Sequence, residues 1–374
     1  MGQEHVKPLN KVLAEVVDPR KKQGQRHEFV AILMLVCAAM LCGYDNPNQI
    51  ATWGQSLDAD FLRNLGFKRG LAIAKSQLYE ILSQIEVVHL EQLLGAWVES
   101  VLQELGVDTP LPAIAVDGKT LRGSKKLGAV LAHLLSAVSH GIGLTLYQVG
   151  VDSKTNEIPV ALELLKDLLI EGRVFTMDAL LTQRKIAQTI VDNNGDYFMI
   201  AKGNQANLQQ DIMFYFDAMF SQIVPYTTTL ELAHGRIERR TLYATAELND
   251  YLDWPAVGQA GLIERVRIAK STGQLLAHER EFFVTSLSPE RASPSQLLQI
   301  NRGHWTIENK SHHVRDVSFN EDASRLRKGS SAQVMAAFRN VTLAMLRRVG
   351  VTRIREAFIK NSAQPLNTLC YLYL

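Results

Sequence analysis

Three acidic residues stand where their surroundings could do chemistry: Asp117 in AIAVDGKT, Asp178 in RVFTMDAL and Glu308 in GHWTIENKSHH. Each aspartate follows an apolar run and precedes a turn. In an open sheet with parallel strands, that position faces the crevice at the carboxyl ends where ligands bind, although an Asp before a turn serves equally as an Asx-type turn former. Glu308 lies in a segment of helical period. On a helix advancing about 100° per residue, Ile300, Ile307 and Val314 stack into one apolar stripe, and Asn301, His304, Glu308 and Arg315 share the adjacent face. An acid there either joins a site at the end of a sheet or pairs with Lys310 or Arg315 as ordinary helix surface. Three carboxylates together supply the hard oxygen ligands that two Mg²⁺ ions roughly 4 Å apart need for phosphoryl transfer. A competing arrangement is zinc on His304, Glu308 and His312, spaced i, i+4 and i+8, but the HExxH order of helical zinc sites is absent. GKTLRGS lacks the first glycine of a phosphate-cradling loop.

The elements that must position these residues change character along the chain. With 374 residues, 47% of them hydrophobic, a sizeable core in two or three units is expected of a soluble globular protein. Three cysteines, Cys37, Cys42 and Cys370, form neither an even disulfide framework nor a CxxC pair, which points to a reducing cytosol. The apolar run FVAILMLVCAAMLCGY falls short of the roughly 20 residues that cross a bilayer and reads as a buried helix. The formal charge of +2 excludes nothing by itself, yet Asn301 to Lys360 holds twelve Lys or Arg against five Asp or Glu, so the basic surface is local.

The first hundred or so residues have helical spacing, ended by GVDTPLP. Then AIAVDG, HLLSAVSH and TLYQVGVDS read as strands, IPVALELLKDLLI as a helix, RVFTMDAL as a strand, LTQRKIAQTIVDNNG as a helix, DYFMIAK as a strand and NQANLQQDIMFYFDAMF as a helix. The order is βββαβαβα. From about 225 to 287 the helical period gives way to three β-type segments, GRIERRTLYATAEL, GLIERVRIAKSTG and HEREFFVTSL. A helix then resumes with Ser293 as N-cap and Pro294 at its first position, running through HHVRDV.

The chain resembles the DDE transposases of bacterial insertion sequences, in their H-repeat-associated branch. The resemblance spans nearly the whole chain and is carried by DPRKKQGQRHEFVAILMLVCAAMLCGYDNPNQIATWG, AVDGKTLRGS, TNEIPVALELL, FTMDALLTQRKIA, DYFMIAKGNQANL, HGRIERR and RGHWTIENKSHHVRDVSFNEDASRLRKG, in that order. It implies an α/β fold: an RNase H-like catalytic core over 109–350 with the β-rich insertion inside it, a helical N-terminal domain over 1–108 and a tail over 351–374. It implies that Asp117, Asp178 and Glu308 are both catalytic residues and metal ligands, for two Mg²⁺ ions that Mn²⁺ can replace. The implied activity is binding of terminal inverted repeats, phosphodiester hydrolysis and joining of the freed 3′-hydroxyl to target DNA. A homodimer on DNA, in the bacterial cytoplasm at the nucleoid and away from membranes, is expected with it.

DNA contacts are expected at Lys119, Arg122, Lys125, Lys126, Lys202, His304, Arg315, Arg325 and Arg327, and at Arg20, Lys21, Lys22 and Arg26. Two other functions fit the same residues: a metal-dependent nuclease without strand transfer, and a DNA-binding protein descended from a transposase. Relatives that cut through a DNA hairpin carry Tyr, Arg and Lys where this chain has Asn301, His304 and Arg315, so hairpin chemistry is not implied.

Overall fold

The computed structural model describes residues 6–22, 25–106, 110–121, 132–151, 157–219, 225–233 and 235–374. Arg122, Lys125 and Lys126 lie outside the described residues. The chain forms two compact units, one of Met1–Asp108, Gly118–Asn156 and Ile307–Leu374, the other of Thr109–Asp117 and Glu157–Thr306. Along the chain the order is the expected one: strands β1 (Ala113–Leu121), β2 (Ala132–Ser139) and β3 (Thr145–Val151), a helix over Glu157–Lys166, β4 (Val174–Met177), a helix over Arg184–Asp192, β5 (Asp196–Ala201) and a helix over Ala206–Met219. This is an RNase H-like α/β core.

The first unit is mostly helical. In the helix Phe29–Leu41 every residue except Val30 is buried, as a helix apolar on all sides requires, and it packs against the helix Ser331–Arg348. The helix Val87–Glu104 lies on β3. Its Gly95 allows that approach, since a Cβ there would stand 2.5 Å from the Leu146 carbonyl oxygen. β2 and β3 pair antiparallel.

In the second unit β4 pairs in parallel with both β1 and β5. β9 (Leu275–Thr285) runs antiparallel to β5, and β8 (Gln259–Ala269), β7 (Arg236–Thr245) and β6 (Tyr226–Ala233) continue outward as an antiparallel meander. The insertion therefore has four strands where three are expected from the sequence. β6 gives no clear signal because its alternate side chains are solvated: Tyr226, Leu230 and Leu232 are all exposed. The helix Pro294–His304 packs on β4, β6 and β7, burying Leu297, Leu298 and Ile300 with Phe198 and Phe283. Its start is fixed by a capping box between Ser293 and Gln296.

The single helix expected through HHVRDV is instead three segments. The α-helix ends at His304, a π-helical turn covers Ile307–His312, and a short α-helix follows over His313–Val317. The wider turn shifts the phase of everything after it. Val314, expected in the apolar stripe, is only half-buried, and Arg315 takes the interior.

Candidate metal site and nucleic-acid surface

In the second unit the aspartates are neighbours by register. The β1–β4 pairing ends with Val116 opposite Met177, so the next residues, Asp117 and Asp178, follow directly on adjacent parallel strands; β4 stops there, whereas β1 continues to Leu121, so Asp117 lies within its strand and not at the end expected from the sequence. Burial dictates this placement. Ile114, Ala115 and Val116 on β1 and all four residues of β4 are buried, and the first residue past each apolar run is the first that can reach solvent. Asp117 is half-buried and Asp178 exposed. Asp178 Oδ1 accepts from Leu181 N at 3.2 Å, so the Asx-turn role is real. A carboxylate oriented through one oxygen still offers its second to a cation. His304 shares a 2.9 Å hydrogen bond between Nδ1 and Thr176 Oγ1, which ties it to the strand ending at Asp178. Lys202 is half-exposed and pairs with Glu281 at 2.9 Å.

In the first unit Glu308 sits on the π turn with about half of its side chain exposed, and its Oε1 is 3.7 Å from Nδ1 of buried His312. Burial lowers the His312 pKa; Glu308 pulls it up, and Arg315 and Lys119 push it further down. Lys310 donates to the Gly141 carbonyl at 2.8 Å.

Behind this turn lies a buried cluster of charges. Arg315 has no exposed side-chain surface and donates Nε and Nη2 to Glu321 at 2.9 Å each, a two-pronged charge-assisted pair. Arg339 Nη1 donates to the same carboxylate at 3.2 Å, and Lys119 Nζ lies 3.5 Å from it. Lys119 also donates to Asp316 and, at 3.2 Å, to the His312 carbonyl. Burial alone would raise the Glu321 pKa, but Arg315, Arg339 and Lys119 outweigh it and hold the carboxyl down to about 2. Gln148 links the cluster to a second buried acid: its Oε1 accepts from Asn340 at 2.8 Å, and its amide donates to Glu91, whose carboxyl burial pushes up to about 8.

Two expected DNA contacts are therefore corrected. Arg315 and Lys119 turn their cations inward to Glu321, where no phosphate reaches them. Arg20 is also committed: it is paired with Asp18 at 2.8 Å, donates to the His27 carbonyl at 2.9 Å and lies over the Phe29 ring. Lys21, Lys22 and Arg26 are exposed, as are Arg325 and Arg327, which line a groove of about 470 Å³ with Tyr79 and Lys328. Glu321 and Arg339 are not among the residues expected from the sequence, where the signal was an acid in a strongly basic stretch and an arginine in an apolar helix.

In the second unit Asp117 and Asp178 offer hard oxygens of the kind a divalent cation takes; in the first, Glu308 offers a partly exposed carboxylate with an imidazole beside it. Among the described residues no helix is long and apolar enough to cross a membrane.

Residues 108–345 match the family model described as Transposase DDE domain, and residues 10–98 match the one described as DDE_Tnp_1-associated. The chain is 29% identical over 373 residues to "Putative transposase YncI" of Escherichia coli O157:H7, covering 96% of this chain and 93% of that protein. It is 27% identical over 355 residues to "H repeat-associated putative transposase YhhI" of Escherichia coli strain K12, covering 91% of this chain and 90% of that one. A solved structure, the cryo-EM structure of the piggyBac transposase synaptic complex with hairpin DNA, aligns over 98% of this chain and 75% of its own, with 12% identity and a TM-score of 0.42.

Proposed function

The chain belongs to the DDE transposase family, and from that premise we propose that it binds the terminal inverted repeats of a mobile element, cuts the DNA there and joins the freed end to target DNA. Asp117, Asp178 and Glu308 are the proposed metal-holding and catalytic carboxylates, with Mg²⁺ as the ion and Mn²⁺ able to replace it. The observation that carries this reading is the adjacency of Asp117 and Asp178, the residues that follow the last paired positions of β1 and β4, within a stretch that matches the DDE domain and also contains Glu308.

A bound divalent cation supplies Lewis acidity to the scissile phosphate and makes the attacking oxygen a better nucleophile. The three carboxylates hold that charge and orient it. In the first step water attacks phosphorus and the bond to the 3′ oxygen breaks, leaving a 3′-hydroxyl. In the second, that hydroxyl attacks a target phosphodiester and forms a new bond to its phosphorus, while the bond to the target strand's own 3′ oxygen breaks and that oxygen leaves as a 3′-hydroxyl. His304, fixed through Thr176 to β4, is proposed to orient DNA near Asp178. Lys202, Arg325, Arg327, Lys21, Lys22 and Arg26 are the proposed phosphate contacts, together with Arg122, Lys125 and Lys126. A homodimer on DNA, in the bacterial cytoplasm at the nucleoid, completes the proposal.

The test uses end-labelled DNA carrying the inverted repeats that flank the coding region, incubated with the full chain with and without Mg²⁺. Metal-dependent nicking at the repeat ends followed by covalent joining to a target plasmid is expected. Nicking without joining would reduce the protein to a nuclease, and binding without nicking would reduce it to a DNA-binding relative.

A further inference from the structure

His312 is a buried histidine with one ring nitrogen turned to Glu308 and the other without a protein partner among the described residues. It is 3% exposed, and among the described residues its Nε2 has no hydrogen-bond partner, although buried side-chain polar atoms almost always have one. Its Nδ1 faces Glu308 Oε1 at 3.7 Å, too long for a hydrogen bond. Two donor atoms that ligate one cation from about 2.0–2.3 Å each stand roughly 3–4 Å apart, and this pair falls in that range.

The backbone supports the same reading. Glu308 and His312 share the turn Ile307–His312, the one π-helical turn among the described residues. Such turns are rare and occur frequently at functional sites. Lys119 Nζ donates to the His312 carbonyl at 3.2 Å, anchoring the end of the turn from which the imidazole projects. The ring is thus held by packing and by its backbone, with Nδ1 facing the Glu308 carboxylate and Nε2 bonded to no protein group among the described residues.

We propose that His312 is a nitrogen ligand of the divalent cation that Glu308 holds, with Nδ1 and Glu308 Oε1 as its two donors on this turn. The proposal rests on the reading of Glu308 as a metal ligand. A site of mixed oxygen and nitrogen donors ranks metals differently from an all-carboxylate one: imidazole favours Mn²⁺ and later transition ions over Mg²⁺.

The experiment is Mn²⁺ binding to the full chain, followed by pulsed electron paramagnetic resonance, which reads nitrogen directly coordinated to Mn²⁺ without any turnover. Wild-type protein is expected to show nitrogen modulation that changes on labelling with ¹⁵N-histidine. His312→Ala is expected to lose it and to bind Mn²⁺ on the order of tenfold more weakly, with a smaller loss for Mg²⁺. His312→Gln, closer in volume and able to offer an amide oxygen, keeps the test valid if the alanine variant fails to fold. It is expected to bind Mn²⁺ without the nitrogen signal. If Glu308→Gln weakens Mn²⁺ binding while the His312 variants keep wild-type affinity and modulation, the Glu308 reading survives and the His312 ligand is overturned. If Glu308→Gln also leaves Mn²⁺ binding unchanged, both readings fail together.

Discussion

The aspartate pair at the edge of the second unit and the charge cluster around Glu321 in the first are built from the same residue types but used in opposite ways. Asp117 and Asp178 follow the last paired residues of β1 and β4, half-buried and exposed respectively, and no cation is paired with Asp178 among the described residues. Glu321 is 2% exposed and takes two arginines and a lysine. A carboxylate already neutralised from three sides has no charge to offer a metal. Asp178, exposed just past the end of β4, does. The difference teaches that exposure decides availability: an acid that keeps solvent-facing surface, as Asp178 and Glu308 do, can still take a cation, whereas one buried among arginines, as Glu321 is, is spent on the protein itself.

The largest expected effect tests the first half of that contrast. Asp117→Asn, Asp178→Asn and Glu308→Gln should each lower the rate of end cleavage by on the order of 10³-fold, the scale of removing one electrostatic group from a reacting centre. Binding of end DNA, measured by gel shift, should stay near wild type because the residues that hold phosphates lie elsewhere. A variant that cleaves at near wild-type rate takes its residue out of the site.

The second half predicts a change in stability rather than chemistry. Glu321→Gln leaves Arg315, Arg339 and Lys119 buried around a neutral amide, and should cost about 3–5 kcal/mol, the usual penalty for breaking a buried ion pair from one side. Denaturant unfolding measures it. Because the folded pKa lies near 2, below the ordinary value of 4.5, the stabilisation from Glu321 is present above pH 4.5 and is lost as pH falls from there towards 2. A wild-type chain with flat stability across that window would contradict the cluster.

Glu91 carries the opposite sign and a smaller expected effect. Its folded pKa of about 8 exceeds its unfolded value, so the folded state holds a proton that the unfolded state releases. Stability attributable to Glu91 is therefore full below about pH 4.5 and declines as pH rises towards 8. Glu91→Gln keeps the amide partner Gln148 in reach and removes the titration. It should gain on the order of 2 kcal/mol relative to wild type between pH 5 and 8, a discounted figure for a shift of several units in a buried group. Equal pH profiles for the two proteins would show that Glu91 is not held protonated.

How much of this was legible follows from what each signal depends on. The β-strand order was readable because buried strands such as VFTM and YFMIA must be continuous apolar runs. Asp117 and Asp178 were readable because each is the first residue after such a run. The fate of Arg315 was not. It depended on a π turn that changes the helical phase by about one residue, and nothing in IENKSH announces that turn. Residue type alone assigns Lys119 and Arg315 to phosphate, and only the position of Glu321, distant from Lys119 in sequence, reveals that both are committed inside. The strand β6 was hidden for a related reason: Leu230 and Leu232 are exposed, so the usual link between apolar residue and buried face fails there.

The smallest expected effect separates cations that are spent from cations that are available. In the N-terminal segment Arg20 is held by Asp18, the His27 carbonyl and the Phe29 ring, while Lys21, Lys22 and Arg26 are exposed. Neutralising the three exposed residues together should weaken binding of end DNA modestly and flatten the slope of log affinity against log salt by about 0.9 for each phosphate that the segment no longer neutralises. Replacing Arg20 alone should leave the slope unchanged and instead lower thermal stability, because its guanidinium serves a part-buried ion pair and an aromatic ring. The two variants thus separate in which observable moves. If Arg20→Gln flattens the salt slope as much as the triple variant, its guanidinium reaches DNA despite its partners, and the rule that a satisfied cation is not available to phosphate breaks at this position.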